Sequence, residues 1–482
     1  MKVVDWQNTK IVATVGPACS AYENLLELVK AGVDIFRLNF SHGAHEEHLE
    51  VINRISYINE KYNLHIGIMA DLQGPKLRVG KIENNALEIV EGDILTFVNE
   101  KCIGNMEKIY MSYPQFAQDV KIGERVLVDD GKLVFEVVET NNVNQVRLKV
   151  LFGGTLSSNK GVNLPNTKIS LPCITEKDEK DLEFILTQPV HWIALSFVRS
   201  PKDIKDLESR IAAKNHGAKI IAKIEKPEAV EKIDKIINAS NAIMVARGDL
   251  GIEVPMERLP GIQKDIVKKC IQKARPVIVA TQMMDSMVTN PSPSRAEITD
   301  VANAVLDGAD AVMLSAETSV GKHPVKVVEA MNKIIDETEK HYSFAGLRPI
   351  PSENSRTFLS DAVCFNAARL SEDIKAKAIV GMTSSGYTAF KVSSYRPKSE
   401  IYIFSDKMHM LSTLNLVWGV KCFYYDRFTT TDESISDVTD ILKHAGKLLP
   451  GDVVVNTASM PIHKRHRTNT IKVTVVEKDP KD

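Results

Sequence analysis

Up to about residue 340, short runs of β-branched and other apolar residues alternate with segments whose apolar positions recur at helical spacing. Eight such runs predict strands: Lys10 to Val15, Asp34 to Phe40, His65 to Ala70, Trp192 to Phe197, Lys219 to Ile224, Ala242 to Ala246, Pro276 to Ala280 and Ala311 to Leu314. Eight βα units in succession predict an α/β protein built on a (β/α)8 TIM barrel. Nearly every run ends in polar side chains able to do chemistry, namely Arg37, Asn39 and Ser41, then Asp71, Ser196, Lys223 and Glu225, Arg247 and Asp249, Thr281, and Ser315 with Glu317. Barrel active sites sit at the C-terminal strand ends, so these residues mark the candidate site.

The third and fourth runs are too far apart for a barrel loop, and the intervening chain alternates with period two, as in GERVLVDDGKLVFEVVET. Asp130-Gly131 marks a hairpin turn there. The expectation is an all-β insert after strand three, a β-barrel placed as a lid that excludes water from the rim. After a polar, proline-containing passage from Leu347 to Ser355, a second α/β series begins: AKAIVGMTSS, SEIYIFS, VKCFYYD, DVVVNTA and IKVTVVEK. The expected domains are a barrel from 1–78 and 165–343, a lid from 79–164 and a C-terminal α/β regulatory domain from 344–482.

Composition narrows the function classes. The chain has 482 residues and a formal charge of −1, which gives no global footprint for nucleic acid, so an anionic ligand must be held locally. Hydrophobic residues are 44% and charged residues 26%, and no apolar run approaches the span of a bilayer. The start, MKVVDWQNTKIVATVGP, lacks an apolar leader pattern, and the expectation is a cytoplasmic protein with neither membrane nor nucleic-acid partners. The six cysteines are widely spaced and fit reduced, packed thiols better than a metal or disulfide frame.

In IAKIEKPE, Lys223 and Glu225 stand two apart at a strand end, so a cation and a carboxylate point to one side of the chain. The next run ends VARGDLGIE, where Gly248 permits close approach of a ligand to the backbone and Asp249 opens a helix whose free N–H groups suit an anion. Glu225 and Asp249 together suit Mg²⁺, which needs only one or two carboxylates besides water and substrate oxygens. A buried ion-pair network is the competing reading. The Arg247-Gly248-Asp249 tripeptide as an adhesion motif would need an extracellular loop and is set aside.

Arg37, Asn39 and Ser41 alternate along FRLNFS and offer a phosphate a guanidinium fork, an amide and a hydroxyl. His42, His45 and His48 recur every third residue, but Leu49 breaks the H-E-x-x-H zinc pattern, and they read as a solvated helix start. No P-loop and no dinucleotide fingerprint occurs, so phosphoryl transfer here would rely on Mg²⁺, lysine and arginine at a rim. Thr281 and Ser315 put hydroxyls at the ends of strands seven and eight, where they could relay a proton.

Taken in order, ATVGPA, RLNFSHG, DLQGPKLRVG, KGVNLP, AKIE, VARGDLGIE, ATQMMDSM, SRAE and DGADAVMLSAET resemble the pyruvate kinase family over the whole barrel, and the resemblance continues to the C-terminus. It implies phosphoryl transfer from phosphoenolpyruvate to ADP, giving ATP and pyruvate, with Mg²⁺ or Mn²⁺ and a homotetramer. It further implies that Lys223 stabilises the transferring phosphoryl, Glu225 and Asp249 hold the metal, and Arg37 binds phosphate. Gly248, Asp249 and Thr281 match the enolpyruvate positions, with Thr281 and Ser315 on the proton route. Asn39, Ser41, His42, Arg78 and Lys160 match nucleotide-side positions.

One departure carries a mechanism. Many members require K⁺ and read Thr-Lys-Gly-Pro-Glu, whereas this chain reads Leu72-Gln73-Gly74-Pro75-Lys76. The expectation is that the Lys76 ammonium replaces K⁺ beside Asn39, Ser41 and Asp71, so that K⁺ is not required. Thr383, Ser384, Ser385, Gly386 and Thr388 form a hydroxyl-rich nest that resembles the family's effector-phosphate loop and implies a phosphorylated allosteric effector. The facing basic run, Ile462 to Arg467, lacks the glycines common in fructose-bisphosphate-responsive members and leaves the effector's identity open. A Mg²⁺-dependent lyase or aldolase acting on a pyruvate enolate, and a silent metabolite sensor, are the competing functions. The lid and the intact Lys223, Glu225, Asp249 and Thr281 weigh against both.

Overall fold

The computed structural model describes residues 7–341, 348–427, 430–460 and 467–478. Eight parallel strands close a barrel: Lys10–Thr14, Ile35–Asn39, Gly67–Asp71, Trp192–Leu195, Lys219–Ile224, Ala242–Ala246, Val277–Ala280 and Ala311–Leu314. Each is paired in register to its neighbours, and the first and last meet at Lys10 and Ala311. The strands read as unbroken apolar runs because both faces are covered, the outer by helices and the inner by the barrel's own filling. That filling includes Val12, Met69, Trp192, Ile221, Met244 and Ile278, and it is plugged from below by Leu416 of the C-terminal domain.

Between strands three and four the chain forms an open six-stranded sheet and a separate two-stranded one, with a short helix at Phe116–Asp119. The expected hairpin is present: Arg125–Val128 pairs antiparallel with Leu133–Thr140, and Asp129, Asp130 and Gly131 all take left-handed φ in the turn. The sheet does not close as the barrel the pattern suggested. Its two edge strands are not hydrogen-bonded to each other; residues 78 and 79 span the gap by isolated bridges, Arg78 to Gly161 and Val79 to Met111. The insert packs its own core around Phe97, Phe135, Val137 and Leu148.

The C-terminal domain is a five-stranded sheet with its last strand, Thr470–Val475, antiparallel to Val453–Ala458 and the rest parallel. It docks on the N-terminal ends of the barrel strands. The Lys10 ammonium donates to the Val420 carbonyl at 3.1 Å, Asn415 donates to the Asp34 carbonyl at 3.0 Å, and the Trp192 indole donates to the Thr413 carbonyl at 3.1 Å. Arg396, stacked on Trp418, makes a buried ion pair with Asp310 at 3.2 Å. No helix among the described residues is long and apolar enough to cross a membrane.

Candidate active site

Strands two, three and five bring four ionised side chains together at the rim. Arg37 donates to Asp71 at 2.7 Å through Nε, and to the Thr14 hydroxyl at 2.9 Å through Nη1. Asp71, fully buried at the end of strand three, also lies 3.2 Å from the Lys223 ammonium. Lys223 reaches Glu225 at 2.9 Å, as the two-residue spacing predicts, and donates to the Ser196 hydroxyl at 2.7 Å. The Phe197 N–H then donates to the other Glu225 oxygen at 2.8 Å.

The electrostatics follow from this net. Burial alone would lower the Lys223 ammonium, but the charges of Asp71 and Glu225 outweigh it and hold it above its ordinary value. Burial would likewise raise Asp71, yet Lys223 and Arg37 hold it below the usual carboxylate range. Glu225 goes the other way, pushed up by burial and by the charge of Asp249 despite Lys223 beside it. A buried carboxylate that carries the charge of a half-buried second one suits a divalent cation, which would remove that penalty. Among the described residues no group of three or more His, Cys, Asp or Glu side chains could hold a metal, which leaves the two-carboxylate set.

The helix after strand six spans Arg247–Glu253, so it opens two residues before Asp249, and Gly248 and Asp249 lie in its first turn. The Gly248 N–H donates to the Thr281 hydroxyl at 2.7 Å, and that hydroxyl donates to the Ala280 carbonyl at 2.5 Å. Thr281 and Gln282 both take left-handed φ, a conformation side chains with a Cβ rarely adopt. Arg247 clamps that turn from the end of the neighbouring strand, donating to the Thr281 carbonyl at 2.8 Å through Nη2 while Asp300 holds Nη1 at 2.7 Å. Ser315 is half-buried; its N–H donates to Glu317 at 2.6 Å, and Glu317 also takes the Met284 N–H, tying strand seven's loop to strand eight's.

The remaining predicted residues are less concentrated. The Asn39 side chain accepts the Ser41 N–H at 3.1 Å in a local turn, and His42 is exposed. Arg78 and Lys160 lie at the lid's root, Arg78 donating to the Asn159 carbonyl and Lys160 paired with Asp129 at 2.9 Å. No hydrogen bond or ion pair among the described residues joins them to Asn39, Ser41 or His42. Lys76 is exposed and is not beside Asp71, whose carboxylate is taken by Arg37 and Lys223. The left-handed turn at Gly74 directs the chain toward the lid instead, and Lys76 lines a cleft with Gly161, Asp130, Lys226 and Asp249. The histidines are not merely solvated: His45 pairs with Asp181 at 2.7 Å and stacks on Phe184, and His48 stacks on Phe40.

In the C-terminal domain Thr383 accepts the Gly386 N–H at 2.9 Å, Lys407 donates to the Ser384 carbonyl, and Thr388 meets Thr468 hydroxyl to hydroxyl at 2.6 Å. The exposed Ser385 accepts the Tyr387 N–H at the mouth of the nest. Of the facing basic run, residues 462–466 lie outside the described residues.

Residues 6–328 match the family model described as pyruvate kinase, barrel domain, and residues 361–474 match the pyruvate kinase alpha/beta domain. The chain belongs to the pyruvate kinase family. It is 42% identical to pyruvate kinase 2 of Synechocystis over 98% of this chain and 80% of that protein. To the pyruvate kinase of Clostridium acetobutylicum it is 40% identical, over 98% of this chain and all of the relative. A crystal structure of a pyruvate kinase from Cryptosporidium parvum superposes with a TM-score of 0.91 at 34% identity, covering 97% of this chain and 96% of the other. The chain is therefore a phosphotransferase of the pyruvate kinase family, and its eight-stranded barrel and C-terminal α/β domain are that family's fold.

Four rim residues went unassigned from the sequence. Thr14 ends strand one and offered only that position as a signal, while Ser196, Arg247 and Glu317 stood out as polar strand ends without a partner to give them a role.

Proposed function

We propose that the rim transfers the phosphoryl group of phosphoenolpyruvate to ADP, with the work divided among the residues of the Arg37-Asp71-Lys223-Glu225 net. That net is the observation that carries the reading: two cations fixed on one carboxylate, facing a pair of carboxylates that want a metal. Arg37 and Lys223 bind the phosphoryl oxygens, and Asp71 keeps both cations aimed without neutralising either alone. Glu225 and Asp249 would hold Mg²⁺, or Mn²⁺ in its place, whose double charge offsets the negative charge of the phosphoryl and enolate oxygens. The Gly248 N–H and the Thr281 hydroxyl, already bonded to each other, open to take the substrate carboxylate.

As the bond from phosphorus to the enol oxygen breaks, a bond forms to a terminal oxygen of ADP, and pyruvate enolate remains. A proton must then reach the enolate carbon. Thr281 and Ser315 are the hydroxyls assigned to deliver it, and the donor regains its proton from solvent. Thr281 must first release the Ala280 carbonyl, whereas the Ser315 side chain accepts and donates no hydrogen bond among the described residues. Asn39, Ser41, His42, Arg78 and Lys160 take the nucleotide side, the last two brought over by the lid.

The Lys76 ammonium supplies a fixed cation in the cleft between rim and lid, and the enzyme therefore works without K⁺. A phosphorylated effector binds at Thr383, Ser384, Ser385, Gly386 and Thr388, and the cytoplasmic enzyme assembles as a homotetramer. The test is the initial rate of ATP formation from phosphoenolpyruvate, ADP and Mg²⁺ in K⁺-free Tris, repeated with KCl. A full rate without K⁺ supports both the reaction and the cation assignment. A rate seen only with KCl keeps the reaction and removes Lys76 from that role, and no rate under either condition, with effectors present, removes the reaction.

A further inference from the structure

The helix Arg247–Glu253 that carries Gly248 and Asp249 ends on a residue with no place in the chemistry so far. Glu253 is 4% exposed, and its Oε1 takes two donors, the Lys226 ammonium at 2.5 Å and the Asn163 side-chain amide at 2.9 Å. Lys226 is itself buried and follows Glu225 directly in the chain; its ammonium lies 5.9 Å from the ring of Phe197, whose N–H holds Glu225. Asn163 belongs to the insert, closing the short strand Val162–Asn163 that pairs with Leu127 and Val128.

One buried carboxylate thus joins the lid, the residue after one metal-facing glutamate and the helix of the metal-facing aspartate. Its bonding is lopsided: Oε1 has two donors, and Oε2 is buried with none. An ionised oxygen left bare in a buried place is unfavourable, and such an atom calls for a donor in another arrangement of the chain.

We propose that Glu253 is a positioning residue, a latch through which the lid's place sets the geometry of Glu225 and Asp249. On closure the Asn163 amide passes from Oε1 to the bare Oε2, leaving Oε1 to Lys226, and the helix end and the Glu225-Lys226 segment are drawn together. This rests on the reading that Glu225 and Asp249 face the metal and that 79–164 closes over the rim.

The test compares Asn163→Ala, Asn163→Asp and the exchange Asn163→Asp with Glu253→Gln against the unaltered full-length enzyme. Asn163 is half-buried at the lid's edge, so the alanine variant removes a donor without opening a core. Its kcat falls about tenfold, the worth of one charge-assisted hydrogen bond, while KM for phosphoenolpyruvate moves less than about twofold and the melting temperature holds. Asn163→Asp is slower still because it sets like charges face to face, and the exchange, which restores a donor opposite an acceptor, recovers at least about fivefold of that loss. A kcat within twofold of the parent for Asn163→Ala, or an exchange variant no faster than Asn163→Asp, overturns the latch. Amide hydrogen exchange over residues 161–164 reads the same contact without turnover: it quickens in Asn163→Ala, and an unchanged rate also overturns the latch. A parent enzyme that makes no ATP while this exchange difference persists counts against the reaction and not against the latch.

Discussion

At the rim, Arg37, Asp71, Lys223 and Glu225 share one another's charge in one net; at the base, charged groups occur as separate pairs, each spent on holding the C-terminal domain. The same eight strands end in both places. At the base Lys10 serves Asp34 and the Val420 carbonyl, Asp310 takes Arg396 and the Trp418 N–H, and Leu416 fills the floor of the barrel. At the rim Glu225 is held above its ordinary pKa by burial and by the charge of a second carboxylate, Asp249; at the base burial raises Asp34 too, to about 6, against Lys10 and the Ile11 N–H beside it.

Substitution at the rim should therefore cost activity, and at the base stability. The largest effect is expected for Lys223→Met, which removes the cation shared by Asp71 and Glu225: ATP formation falls by at least about a thousandfold, the scale of losing a transition-state electrostatic contact together with its partners' alignment. A coupled ATP assay checks it, and unchanged turnover would sink the assignment of Lys223. Arg396→Met leaves Asp310 buried with only its backbone donors, and should lower unfolding free energy by about 3 kcal/mol, read from denaturant midpoints, while the specific activity of the folded fraction is kept.

A smaller and graded effect is expected from acid. Burial takes His65 down to about 4 and His191 down to about 3, the latter with help from His409 and His216 beside it. Unfolded, both would titrate near 6.5, so below that pH the unfolded chain binds more protons than the folded one. Their contribution is whole above pH 6.5 and drains as pH falls toward the folded values. Urea midpoints measured from about pH 7 to about pH 5 should decline, and His191→Asn, whose amide oxygen can take over the bond from the Ile68 N–H, should flatten the decline. An equal slope in parent and variant would remove His191 from the account.

How much of this was legible beforehand differs by level. The barrel strands were, because a strand buried on both faces writes a continuous apolar run that few other structures produce. The pairing of Lys223 with Glu225 was, because two residues along a strand end is a geometric statement. That the lid stops short of a closed barrel was not, since the isolated bridges at residues 78 and 79 that span its gap leave no periodicity. Nor was the place of Lys76: its neighbours depend on a left-handed turn at Gly74 and on Asp71 being taken by Arg37 and Lys223, and partner choice among like-charged candidates is decided by packing. His42 is solvent-facing as expected, but His45 and His48 are not, because the aromatic surfaces they stack on, Phe184 and Phe40, lie on other elements.

Strands three and four are neighbours in the barrel, with Ala194 beside Asp71, although the whole insert separates them in the chain. During synthesis, then, the first three strands must wait, edge exposed, until the insert has emerged and gathered its own core. Relative to a direct βα connection the longer loop adds only about 1 kcal/mol of closure entropy, so the delay is one of timing more than of free energy. A destabilised lid would consequently act on a part of the protein it barely touches: slow to collapse, it would hold the barrel half-made, with the edge of strand three open to aggregation.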